Sequence, residues 1–406
     1  MSASGEQAAR PAGAPVSGGG AAGVTVGGLE DRAVGCVAGA AVGDALGGAT
    51  EGWTPEQIHE RYGGHVEGVV PPFFEDWRNA RPIAPYHKGD GHITDDTLMT
   101  HALIRVYERV GGHLDAYAAA EHLVPEMMGD KRWIPELETE ALPLHRVFLA
   151  EKWLVLRLHY GHVDPREAGV GNIVNCGAAM YMAPVGVVNA ADPDAAYAEA
   201  IELAGAHQSS YGREAAGVLA AAVAEAMRPG ATADSVVATC VRLARDGTKA
   251  AIDAVCSAAL DLGHWDGSFE TLRAAMKPYD TVADTYRDQG LGARRPSRLH
   301  SIEELPLALA FLLIAKGDFR DTVLGGVNYG RDADSIASMG GAIAGALGGR
   351  EAVPAEWLDR ISAASRTDLV TPGLALARVA RRVHAADLER RRAHESAFAA
   401  LLGDAG

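Results

Sequence analysis

The run from Asp31 to Leu46 constrains this chain more than any other stretch, because it has small or apolar residues on every face, among them Gly35, Ala38, Gly39, Ala40 and Gly43. A helix of that kind has no polar stripe to turn toward water. It belongs in the middle of a bundle, where small side chains let neighbouring backbones approach closely. Composition supports the same reading. Apolar residues make up 48% of the 406, and the excess lies in Ala and Gly, not in the aromatic and β-branched residues that favour sheets. The expected fold class is therefore all-α, a compact single-domain multi-helix bundle.

Helical patterns recur along the chain. Thr97 to Arg109 carries apolar residues at helical spacing, and Glu136 to Tyr160 reads as a helix broken near Pro143. Asp192-Pro193 supplies an N-cap and a first-turn proline for a helix running to Ala204. Further helices are expected at Arg213–Met227, Ala233–Ala244, Thr248–Leu262, Ile302–Ala315, Asp318–Val327, Asp334–Leu347 and Leu369–Leu402. No strand alternation competes with them, and no fixed-period repeat suggests a solenoid. Tyr62 to Gly91, rich in Pro and aromatic residues (Pro71, Pro72, Phe73, Phe74, Trp77), reads as a long ordered loop over a site.

Residues 1–28 are rich in Gly, Ala and Ser and lack both the basic and the apolar region of a signal peptide, so a flexible tail precedes a domain at 29–402. The net charge of −16 argues against a nucleic-acid or anionic-membrane surface, which needs clustered Lys and Arg. It is compatible with a carboxylate cleft holding metal ions, although by itself the charge reads first as plain solubility. Cys36, Cys176, Cys240 and Cys256 form no C-x-x-C pair, so neither a zinc site nor a disulfide framework is indicated. No uninterrupted apolar run reaches the length of a membrane span. A cytoplasmic monomer is the expectation.

Two polar clusters interrupt the apolar background. Thr94-Asp95-Asp96-Thr97 precedes one helix, and Asp332-Ala333-Asp334-Ser335 opens another of small residues. Either cluster taken alone reads as a helix cap, since Ser, Thr and Asp serve there and the dipole favours carboxylates. A cap needs only one oxygen, however, and adjacent carboxylates on buried helices call for a counter-charge. The donors are oxygens only, which selects magnesium, calcium or manganese over zinc or copper. Four Asp carboxylates and two hydroxyls suffice for two ions with a water activated between them.

Three further segments carry weaker signals. Gly43-Asp44-Ala45-Leu46-Gly47 followed by Glu51 reads by itself as a helix end and a surface Glu. Asn175-Cys176-Gly177 sets little bulk beside a polar Asn, suited to close ligand approach or to helix packing. His207-Gln208-Ser209-Ser210-Tyr211 at a helix junction suits either a phosphate or ribose contact or an ordinary capped start.

Together, GCVAGAAVGDALGGATE, ITDDTLMTHAL, NCGAAMYMAPVG, AHQSSYGREAAGVLAAAVAEA and GVNYGRDADSIASMGGAIAGAL resemble, in order and spacing, the ADP-ribosylglycohydrolase family. The resemblance implies an all-α domain with a binuclear Mg2+ centre, Mn2+ being a possible substitute. By matching motif positions it implies Thr94, Asp95, Asp96, Asp332, Asp334 and Ser335 as metal ligands. Glu51 and Asp96 would be the catalytic carboxylates, and Asn175, Cys176, Gly177, His207, Ser209 and Tyr211 would contact substrate. The implied activity is hydrolysis of the glycosidic bond between ADP-ribose, or a related ribosyl nucleotide, and its acceptor. The partner is then an ADP-ribosylated protein or a small nucleotide-derived molecule.

Departures open alternatives. The family loop commonly reads G-N-G-A-A-M-R, whereas Tyr181 here stands at the Arg position, and insertions fall at about 62–91 and 127–171. An N-glycoside hydrolase of a free NAD- or nucleotide-derived metabolite is one alternative. A catalytically silent, ADP-ribose-binding or crystallin-like relative is another, against which the intact Asp set counts.

Overall fold

A computed structural model describes residues 28–79, 87–279 and 301–403. The tail expected at 1–28 lies outside them except for its last residue, as does part of the aromatic loop.

The small-residue helix runs from Leu29 to Gly47 and is buried from Arg32 onward. Its partner is the Ala333–Gly348 helix, and no other two elements among the described residues share so extensive a contact. The pair is antiparallel, with glycines one turn apart facing each other's backbone. A Cβ added at Gly35 would meet Gly345 O, one at Gly39 would meet Gly341 O, and one at Gly43 would meet Ala337 O. Side chains of any size would hold these axes apart, so glycine and alanine on both sides set the separation. Arg32, buried at the start of the first helix, donates from Nη1 to Ala226 O at 2.9 Å, Ala346 O at 2.9 Å and Leu347 O at 3.0 Å. It thereby satisfies carbonyls at two helix C-termini that would otherwise lack donors.

Around this pair pack the helices Asp95–Val110, Ser210–Ala226, Ser301–Ile314, Phe319–Tyr329 and Thr371–Leu402. Local chemistry sets their ends. Asp192 caps Pro193–Gly205 by accepting from Ala195 N at 3.1 Å, and Gly111, with φ 68°, ends Asp95–Val110. A single apolar cluster runs through these elements. Among the described residues no helix is long and apolar enough to cross a membrane.

One expected helix is corrected. Glu136 to Tyr160 does not begin as a helix: Arg132–Ile134 pairs antiparallel with Thr139–Ala141 across a 3-10 turn at Pro135–Leu137. Short helices then follow at Pro143–Arg146 and Leu149–Leu154. Glu138, at φ 50°, turns the hairpin, and Arg146, Glu136 and Glu151 are each buried. The apolar pattern in this stretch serves packing from several short pieces, which helical periodicity alone does not distinguish.

Candidate metal centre

The antiparallel pair brings the C-terminal end of Leu29–Gly47 against the N-terminal end of Ala333–Gly348, and the N-terminus of Asp95–Val110 meets them there. Asp44 is fully buried at this junction. Its carboxylate accepts from Thr94 N at 3.0 Å, Thr94 Oγ1 at 2.6 Å and Thr97 N at 3.1 Å, and also from the Thr97 hydroxyl. Thr94 caps the aspartate-bearing helix by accepting from Asp96 N at 3.3 Å, and Asp44, from another helix, satisfies the Thr97 N–H beside it. Two helix N-termini facing one point favour negative charge there.

Three groups of buried side chains present ligand atoms close enough to share a cation: Asp44, Asp96 and Asp334; Glu51, His87 and Asp334; Cys176, Glu304 and Asp332. Burial raises the Asp44 carboxyl while its threonine donors pull it down. Asp96 is raised well above the ordinary carboxylate range, first by burial and then by the charges of Asp334, Asp44, Asp95 and Asp332. Asp334 is raised by burial and opposed by His87. Glu304 is raised well above its usual value by burial, Asp332 and Glu303. Asp96 Oδ1 and Asp334 Oδ1 are buried and accept no hydrogen bond from the described residues. Repelling carboxylates with orphaned oxygens fit a divalent cation, whose charge would offset both burial and repulsion.

The expected residues do not all gather equally. Thr94 Oγ1 lies 3.5 Å from Asp334 Oδ2, and Ser335 is buried beside Cys176, Oγ to Sγ 3.4 Å. Cys176 Sγ is also 3.3 Å from Asp332 Oδ2, which joins the Asn175–Gly177 turn to the second aspartate cluster. Asp95 instead accepts from Arg146 Nη1 at 3.1 Å and Phe148 N at 3.2 Å. Glu51, read by itself as a surface residue, is only 4% exposed. The tight Gly47–Thr50 turn and the bonding of Gly52 and Trp53 to the Arg331 backbone fold it inward.

On the other side, Asn175 Oδ1 caps its own turn at Gly177 N, 3.1 Å, and is held by Gln208. His207 is buried with both nitrogens engaged, by Tyr181 Oη at 3.0 Å and Ala150 O at 2.9 Å, and burial pushes it down to about 4. Ser209 precedes the Ser210–Ala226 helix without a side-chain cap bond, so the capped start considered for it is not present. Tyr211 packs its ring over Gly247.

Several residues were not singled out from the sequence. His87 Nε2 lies 2.5 Å from Glu51 Oε2 and 3.0 Å from Asp334 Oδ2, with Nδ1 2.8 Å from Glu136 Oε1. No local pattern marks a lone His in a Pro-rich stretch. Glu304 did carry a signal, as half of a carboxylate pair opening the otherwise apolar run SIEELPLALAFLLI. Glu151 lies against Gly177, where any Cβ would collide with its carboxyl, and burial raises it to about 8.

The chain belongs to the ADP-ribosylglycohydrolase family, whose model it matches over residues 26–393. This makes it a hydrolase of the glycosidase type. It is 28% identical over 342 residues to an uncharacterized protein of Archaeoglobus fulgidus, covering 82% of this chain and 92% of that one. It is 23% identical over 353 residues to the uncharacterized protein YegU of Escherichia coli, covering 86% and 97%. A solved structure, the ADP-ribosylglycohydrolase-related protein complex, shares the fold with a TM-score of 0.56 at 21% identity, over 87% of this chain and 99% of that one.

Proposed function

We propose that the chain is a magnesium-dependent hydrolase of the bond between the anomeric carbon of ADP-ribose, or of a related ribosyl nucleotide, and its acceptor. The observation that carries this reading is the buried carboxylate junction with orphaned oxygens on Asp96 and Asp334. Thr94, Asp95, Asp96, Asp332, Asp334 and Ser335 would hold two ions, with Asp95 sharing its carboxylate with Arg146. When bound, such ions supply a polarised water and a hold on ribose hydroxyls.

The chain's own groups do the rest. Glu51 Oε2 accepts the proton of the attacking water, and His87 Nε2 at 2.5 Å steadies it. Asp96, crowded by four other carboxylates, suits cation holding and stabilisation of positive charge developing on the sugar. The rings of Trp53, Phe73 and Phe74 border Glu51 and limit water access.

The second reading, an N-glycoside hydrolase of a free nucleotide-derived metabolite, is favoured by Tyr181. It is buried against His207 at the position where the family commonly has Arg. The test is ADP-ribose release from arginine- and serine-ADP-ribosylated protein and from NAD-type dinucleotides, with EDTA and with magnesium restored. Magnesium-dependent release from protein supports the first reading, and release only from the small molecule supports the second. Full activity in EDTA refutes the metal assignment.

A further inference from the structure

The loop reaching over the metal centre ends in an unusual contact. Trp53 and Phe73 lie face to face, centroids 3.6 Å apart and planes 8° from parallel. Phe74 stands edge-on to Trp53 at 4.7 Å and 68°. With Gly48, Ala49, Glu51 and His87 these rings enclose a cavity of about 10 Å³, room for about one water. The two walls are held differently. Trp53 O accepts from Arg331 N at 2.9 Å, and Gly52 N donates to Arg331 O at 2.6 Å, so the Trp53 backbone is tied to the residue that precedes Asp332 and the helix carrying Asp334. Phe73 sits in a loop anchored at its stem, where Tyr62 Oη donates to Pro71 O at 2.8 Å and Asp90 N to Val70 O at 2.7 Å. Both rings of the pair are half-buried, not locked in the core.

We infer that Trp53 and Phe73 form a clamp for a planar heteroaromatic leaving group, which enters between the rings and presents its glycosidic bond to Glu51. The pair already has the interplanar spacing of one stack, so displacing Phe73 by one further ring thickness creates two. Both faces of an inserted ring are then covered, while Phe74 closes an edge. A guanidinium also stacks on aromatic faces, but it is smaller than a pyridinium or purine ring and covers less of the indole and phenyl faces of this slot. The slot borders the Glu51, His87 and Asp334 group, not the Cys176, Glu304 and Asp332 group that the Asn175–Gly177 turn joins.

This inference rests on the hydrolase reading and is tested in two independent parts. Calorimetric titration of free nicotinamide and free adenine into the protein, and into Trp53→Leu, reads the clamp without turnover. Binding that is lost in the variant supports it. Absence of binding to the wild-type protein, or binding unchanged in Trp53→Leu, overturns the clamp even if hydrolysis occurs. Binding without hydrolysis of any riboside would retain the clamp and refute the reaction. The second part compares kcat/KM for a pyridinium or purine riboside with that for an arginine-linked one. Trp53→Leu and Phe73→Leu should lose on the order of tenfold to a hundredfold more on the heteroaromatic substrate than on the arginine-linked one. Equal losses on both substrates, or a preference for the arginine-linked one, would refute the assignment.

Discussion

Replacing Gly43 by alanine probes the contact on which the whole centre is built. A Cβ there would lie 2.0 Å from Ala337 O, 2.4 Å from Ala337 C and 2.8 Å from Ser338 N, all backbone atoms. No rotamer change relieves that overlap. To restore a separation of about 3.4 Å, the two helices must move apart by roughly 1.4 Å at this point, against an interior packed at crystal-like density. Overpacking of this kind costs about 1–3 kcal/mol or more, and alanine's better helix propensity returns at most about 1 kcal/mol. A net loss of about 2 kcal/mol is expected, read as a lower urea midpoint at unchanged slope. Gly43 also precedes Asp44, whose carboxylate holds Thr94 and Thr97, so metal affinity should fall with stability. Gly129→Ala is the control, since a Cβ there meets nothing within 4 Å, and it should stay within about 0.5 kcal/mol of wild type. If Gly43→Ala matches that control in both midpoint and metal binding, the close backbone approach does not set the geometry of the centre.

Asp96→Asn should abolish magnesium-dependent turnover while leaving helicity intact. The metal-free variant should melt no lower than the metal-free parent, because a neutral amide replaces a carboxyl whose ionised form burial and its acidic neighbours disfavour; a lower melting temperature would contradict this. His113 bonds Glu199 at 2.5 Å and Asp387 at 3.0 Å, and these partners raise it to about 9. The raised value means that its stabilisation is complete below about pH 6.5 and is lost as pH rises through about 9. His113→Gln should therefore cost about 1–2 kcal/mol at pH 6, after allowance for partial exposure, and little at pH 10; an equal cost at both would refute it. Glu151, raised to about 8 chiefly by burial, has the opposite consequence for the ionised form. Wild-type stability should decline between about pH 4.5 and 8 relative to Glu151→Gln, by a few kcal/mol at most. Parallel stability–pH curves for the two proteins would show that this carboxyl ionises at no cost.

The residues legible in the sequence share a property: their meaning is local. Small residues on every face of Asp31–Leu46 required a buried helix in any fold. Asp192-Pro193 had to open one, and Thr94-Asp95-Asp96 and Asp332-Asp334-Ser335 stood out because paired carboxylates beside apolar helices have few uses. What made Glu51 look like a surface residue was also local, since nothing in the nearby chain shows that Gly52 and Trp53 pair with Arg331. His87, Glu136 and Arg146 become part of the site only because the hairpin at Arg132–Ala141 and the short helix after it fold onto the aspartate helix. The same segment turns Asp95 toward Arg146 and sets Glu151 against Gly177. Periodicity and composition by themselves determined an all-helical bundle around a close-packed small-residue core, and two clusters of acidic oxygen donors. Only the tertiary structure decided that the clusters meet through the antiparallel Gly35–Gly345 to Gly47–Ala333 seam, and which His and aromatic rings face them. The physical reason is that burial and charge repulsion arise from through-space neighbours, and those come from segments up to about 290 residues apart in the chain.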